Sequence, residues 1–99
     1  MKTYRGDRTL DGVQVTVDGV ELDPRFDLKT LSDMGFEWSY EGDAPAQLAL
    51  ALLADHLGDD QAALAQTDAF MRHVVANFNN EWEMTSEDVD VALANIARL

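Results

Sequence analysis

The stretch Val13-Gln14-Val15-Thr16-Val17-Asp18-Gly19-Val20-Glu21-Leu22 decides the fold class. Valine recurs at every second position up to Val17 with polar residues between, and a strand sends successive side chains to opposite faces, so one face is apolar. Asp18-Gly19 supplies a two-residue turn, where aspartate and glycine tolerate positive φ, and Val20-Glu21-Leu22 resumes the alternation. The segment is therefore a β-hairpin, and strands joined this tightly run antiparallel. Thr3-Tyr4-Arg5 predicts a preceding strand, joined to the hairpin through Gly6-Asp7-Arg8 and Asp11-Gly12.

Downstream, Asp23-Pro24-Arg25 stops the hairpin. From there to Gly35, charges mix with Phe26, Leu28, Leu31 and Met34 in no sustained period, leaving room for a short helical turn across Leu28–Asp33. Phe36-Glu37-Trp38-Ser39-Tyr40 alternates aromatic with polar residues and predicts a fourth strand with Phe36, Trp38 and Tyr40 on one face. Gly42-Asp43-Ala44-Pro45 is helix-start chemistry, with Asp43 as the expected cap and proline tolerated in the first turn. The helix runs from about Ala44 to Leu57, is apolar nearly all the way round from Leu48 to Ala54, and should be the most buried element; Gly58 ends it.

Asp59 or Asp60 starts a second, amphipathic helix whose Leu64, Thr67, Phe70, Met71, Val74, Val75 and Phe78 follow spacings of three and four until Asn79-Asn80 breaks it. Trp82-Glu83-Met84 predicts a short strand. Thr85 or Ser86 caps a last helix with Val89, Ala92, Leu93 and Ile96 on its inner face. Consecutive strands followed by helices give an α+β class. The expected form is a small antiparallel sheet, made of the N-terminal hairpin plus the Phe36–Tyr40 strand, packed against about three α-helices in one acidic domain spanning residues 1–99.

At 99 residues and 46% hydrophobic composition the chain has material for a single core. The absence of cysteine excludes disulfides and thiolate metal sites. Met1-Lys2-Thr3-Tyr4-Arg5 lacks the apolar stretch of a signal peptide and Ala44–Ala54 is too short to span a bilayer, so a cytoplasmic setting without membrane contact is expected.

The net charge is −12 and unevenly spread. Residues 1–29 hold six acids and five bases, a net of −1, whereas residues 30–99 hold thirteen acids against Arg72 and Arg98, a net of −11. Such a surface repels phosphate backbones, so direct nucleic-acid binding is not expected. Thirteen of the nineteen acids are aspartate and only Lys2 and Lys29 are lysine, a makeup suited to a salt-rich interior where screening suppresses self-repulsion. The functional alternative is a nucleic-acid mimic, whose carboxylates compete for a basic groove.

The run Gly35-Phe36-Glu37-Trp38-Ser39-Tyr40-Glu41-Gly42-Asp43-Ala44-Pro45-Ala46-Gln47-Leu48-Ala49-Leu50-Ala51-Leu52-Leu53 resembles the signature of a family catalogued as domain of unknown function 6166. Tyr4-Arg5-Gly6 and Trp82 fit the same pattern, so the likeness covers most of the chain. The family pattern carries glycine at the positions of Ser39, Glu41 and Ala44 and serine at that of Asp43. The resemblance therefore implies no glycine-flexible, anion-binding loop in this chain. It does imply an origin in a plasmid, provirus or virus, and it supplies no catalytic residue.

Phe36, Trp38, Tyr40 and Trp82 are the candidate partner-binding residues, because aromatic rings concentrate in interface hot spots; ordinary sheet core is the alternative. Glu37 points away from Trp38 as a solvated strand residue. The Glu41–Pro45 loop precedes a helix N-terminus that could receive an anion, but Glu41 and Asp43 oppose one and no P-loop lysine is present. His56 lies near Asp55, Asp59 and Asp60 without a repeated ligand spacing, so capping acids explain the cluster and no metal ligand is assigned. Ser32, Ser39 and Ser86 lie outside any nucleophile-elbow pattern, and neither His56 nor His73 has a recognisable partner, so no catalytic or cofactor-binding residue is assigned. The expected function is a small non-enzymatic interaction module with a host or self protein partner, ahead of nucleic-acid mimicry and then of a metal-dependent enzyme.

Overall fold

The computed structural model describes residues 1–99. Strands β1 (Thr3–Thr9) and β2 (Gly12–Val17) form a long antiparallel pair, β3 (Val20–Glu21) extends it beside β2, and β4 (Trp82–Thr85) lies on the other side of β1. The sheet order is thus β3-β2-β1-β4, antiparallel throughout. Asp18 and Gly19 have φ of 50° and 82°, the two positive values that a type I′ hairpin turn requires.

The register sets Tyr4 opposite both Val17 and Met84, and Gly6 opposite both Val15 and Trp82. These residues share the face that packs on the core, while Arg5, Gln14 and Glu83 are exposed on the other. β1 also runs unbroken through Gly6-Asp7-Arg8, which the sequence suggested as a connection; the turn falls at Leu10-Asp11 instead. Gly6 stays inside the strand because the Trp82 indole occupies the space a side chain would need. A Cβ built there would lie 2.2 Å from Trp82 Nε1.

Three helices follow: α1 (Asp43–Leu57), α2 (Asp60–His73) and α3 (Ser86–Ala97). α1 is buried nearly all round, with Leu48, Leu50, Leu52 and Leu53 fully enclosed, each burial stabilising by about 2 kcal/mol. Gly58, at φ 62°, closes α1, and the Asp59 side chain accepts the amide of Ala62 to open α2 at once. Thr85 and Asp88 form a reciprocal capping box on α3. The expected cap at Asp43 is not made: Gly42 holds the N-cap position without a side-chain bond, and Asp43 is the first helical residue.

Two further elements differ from the sequence expectation. α2 ends at His73 rather than continuing to Phe78, because Val74 leaves helical geometry (ψ −66° at φ −122°) and a 3₁₀ turn follows at Val75–Asn77. That break lets Val75 enter the core and frees its carbonyl to accept the Ser39 amide at 3.1 Å. Phe36–Tyr40 is not a strand; the sheet's remaining edge is β4. Ser39 sits at φ 81° and binds sideways to the turn after α2, its hydroxyl donating to the Phe78 carbonyl at 2.6 Å, so the segment joins no ladder.

The chain from Leu22 to Gly42 contains no helix or strand and forms a strap against α1. A turn at Phe26–Leu28, where the amides of Leu28 and Lys29 bond the Arg25 carbonyl, comes earlier than the expected helical turn across Leu28–Asp33, and a second turn lies at Asp33–Met34. Gln47, fully buried on α1, holds the strap: its Oε1 accepts the amides of Leu31 (2.6 Å) and Ser32 (3.1 Å). Its Nε2 donates to the carbonyls of Pro24 (2.7 Å) and Lys29 (3.2 Å). A single side chain thus satisfies backbone groups that an irregular segment cannot pair within itself. Gln47→Leu should destabilise by about 3 kcal/mol, since it strands two donors and two acceptors, and amide hydrogen exchange should show the loss of protection confined first to residues 24–32.

Tyr4, fully buried on β1, donates its hydroxyl to Asp55 Oδ2 at 2.7 Å on the last turns of α1, and Lys2 Nζ pairs with the same carboxylate at 3.1 Å. Burial, then the hydrogen bond to Asp55 and its charge, push the phenol well above its ordinary range. A group raised in this way contributes stability that is fully present below its unfolded value, about 10, and is lost as the pH rises toward the folded value. Urea unfolding followed from pH 8 upward should show wild type losing stability above about pH 10 and Tyr4→Phe losing less, so the gap between them narrows.

Candidate functional site

Of the four aromatic candidates, the structure brings two into the core and one to the surface. Trp38 is fully buried and meets buried Trp82 edge to face, with centroids 5.9 Å apart and planes at 84°. Trp82 stacks on Phe78 at 4.3 Å and 15°. Both indole N–H groups lack a hydrogen-bond partner, so the two rings act through area and ring electrostatics alone. Phe36 is partly buried against the hydrophobic core.

Arg8 holds this arrangement from the sheet. Strand alternation puts it on the core-facing side with Tyr4 and Gly6, and its guanidinium lies 4.7 Å from the Trp38 ring centroid. The same group donates to the Trp38 carbonyl at 2.9 Å, to Glu37 Oε1 at 2.7 Å and to Asn80 Oδ1 at 2.9 Å. Glu37 is therefore an ion-pair partner rather than a free strand residue.

The positive φ at Ser39 turns the chain outward, and Tyr40 emerges half exposed. Its ring lies over Gly42, where a Cβ would sit 3.0 Å from Tyr40 Cε2. Beside it opens a groove of about 700 Å³ between the strap, the start of α1 and one side of α2. Leu28, Leu31, Ala46, Leu64 and Met71 supply its apolar lining. Glu41, Asp43 and Asp68 face Lys29 and Arg72 among its charges. Arg72 pairs with Asp68 at 2.9 Å and with Glu41 at 3.5 Å, joining α2 to the residue that precedes α1. Tyr40 and this groove form the candidate contact surface.

A family model described as a family of unknown function, DUF6166, matches residues 4–95. The chain belongs to that family. No curated protein and no solved structure matches it. In this DUF6166 chain Ser39 holds a φ of 81°, a conformation that only glycine adopts without strain.

The remaining candidates are dispersed into separate bonds. Asp55 serves Tyr4 and Lys2, Asp59 caps α2, and Asp60 pairs with Arg25 at 3.3 Å. His56 Nε2 contacts Asp90 Oδ1 at 2.6 Å, linking α1 to α3. No three His, Asp or Glu side chains converge as metal ligands would. Arg25 holds the Asp27 carboxyl below its ordinary value chiefly by hydrogen bonding, an exposed structural pair on the strap. Ser32 Oγ accepts the Met34 amide and Ser86 Oγ accepts the Lys2 amide. No helix is long and apolar enough to cross a membrane.

Sequence reasoning missed Gln47, Arg8 and the groove. Gln47 had a signal, as a polar residue beside an apolar run. Arg8 had another, as a charge in phase with inward Tyr4 and Gly6. Gly6→Ala tests how tightly the aromatic group is seated: displacing the Trp82 indole should lower stability by about 3 kcal/mol or more and shift the tryptophan fluorescence to the red, both read in one denaturant titration.

Proposed function

We propose that this protein is a small non-enzymatic protein-interaction module of a plasmid, provirus or virus, adapted to high salt, which engages a host protein through Tyr40 and the adjoining groove. The observation that carries this reading is the position of Tyr40: a half-exposed aromatic lying over Gly42, which itself lines a groove with apolar side chains. An aromatic side chain has few rotors to immobilise on binding, which is why such residues concentrate in interface hot spots. The Asp-rich, lysine-poor composition supports salt adaptation, and the mobile-element origin rests on the family resemblance.

The test is capture of partners at native salt from the cells that carry the gene, with wild type and Tyr40→Ala as paired baits. Wild type should retain a protein whose recovery falls about tenfold with the variant, as loss of about 1.4 kcal/mol gives. Equal recovery on both baits, or recovery of nothing, counts against the reading. A captured DNA-binding protein released by added DNA would move it to nucleic-acid mimicry by the acidic helix faces.

A further inference from the structure

The groove beside Tyr40 has a charge pattern that selects its occupant. Arg72 divides one guanidinium between Asp68 and Glu41, and the remaining groove acid, Asp43, has no cation within ion-pair distance. Lys29, on the strap, is the only other cation there and takes part in no ion pair. The α1 and α2 sides therefore present three carboxylates to a single shared cation. Glu41, Asp68 and Arg72 are each more than half exposed, so the bridge is weakly held and exchangeable. The same groove is also lined by Leu28, Leu31, Leu64 and Met71.

We propose that this groove is the docking site for a segment of a partner protein that carries an arginine or lysine beside an apolar side chain. The incoming cation takes the Glu41 and Asp68 carboxylates, releasing Arg72, which occupies them in the free protein as an internal stand-in. The apolar side chain enters among Leu28, Leu31, Leu64 and Met71. Charge complementarity fixes the class of occupant: with a net charge of −12, a second copy of the chain or a nucleic acid would bring like charge to the site, whereas a cationic segment is attracted. Apolar contact with Leu28, Leu31, Leu64 and Met71 does not depend on charge, so part of the contact persists in salt. This inference rests on the interaction reading above and adds the chemistry of the partner.

The probe is a synthetic peptide alternating arginine and leucine, with glutamate-for-arginine and serine-for-leucine versions as controls, followed by amide chemical-shift mapping on the intact protein. Shifts should concentrate at residues 28–31, 41–46 and 64–72, and both control peptides should bind more weakly. Glu41→Gln combined with Asp68→Asn should weaken binding about tenfold, whereas Arg72→Gln, which vacates the same carboxylates, should strengthen it about threefold. These exposed sites leave the core intact. Some affinity should survive at about 1 M KCl, where the Debye length is about 3 Å.

Several results would overturn the proposal. They are shifts spread over Glu87, Asp88 and Asp90 on α3, Arg72→Gln binding no tighter than wild type, complete loss of binding in salt, or groove shifts that appear with protein concentration alone. Any of these would remove the groove assignment while leaving Tyr40-dependent capture to stand or fall by the paired baits.

Discussion

α1 has almost no solvent face, and the rest of the molecule is arranged to enclose it. A helix apolar all round is stable in water only if neighbours cover every side, and a chain of this length has few elements with which to do so. The inner face of the sheet and α2 provide regular cover, and the strap from Leu22 to Gly42 adds irregular cover. Irregular cover carries a difficulty, since its amides and carbonyls are withdrawn from water without a ladder to join. Gln47 resolves it from inside the helix, using the full capacity of one amide side chain. A purely apolar residue there would complete the helix surface and leave the strap without partners.

The parts of the fold legible in the sequence are those governed by near neighbours. The hairpin turn at Asp18-Gly19, the end of α1 at Gly58, the Asp59 cap and the Thr85 capping box each depend on residues within a few positions. Phe36–Tyr40 misleads because its alternation is real but its geometry is set from afar: Arg8 binds its backbone and Ser39 turns toward the end of α2. Two residues of this segment that a strand would place on one face, Trp38 and Tyr40, end up in the core and at the surface. The groove was illegible for the same reason, being assembled from three stretches of chain that no local pattern connects.

The scarcity of cations has a structural counterpart. Lys2 reaches Asp55, Arg5 reaches Glu83, Arg8 reaches Glu37, Arg25 reaches Asp60 and Arg72 reaches Glu41, so five of the seven bases join separate parts of the chain. The exposed pairs among them, Arg5–Glu83 and Arg72–Glu41, contribute less than about 1 kcal/mol each and weaken further in salt. Their use as cross-links leaves most of the acids uncompensated, and the exposed carboxylates on α3 have few counter-charges nearby.

β1 is a central strand whose two neighbours arrive at very different times. β2 follows it after a short turn, but β4 lies near the other end of the chain, where Ser86 also bonds Lys2 through backbone and side chain. Without β4 the hairpin has one edge of β1 open and the space over Gly6 unfilled by Trp82. An open edge beside exposed Tyr4 is an invitation to pair with another chain. The β1–β4 pairing thus requires loop closure across most of the domain, a non-local contact of the kind that slows folding.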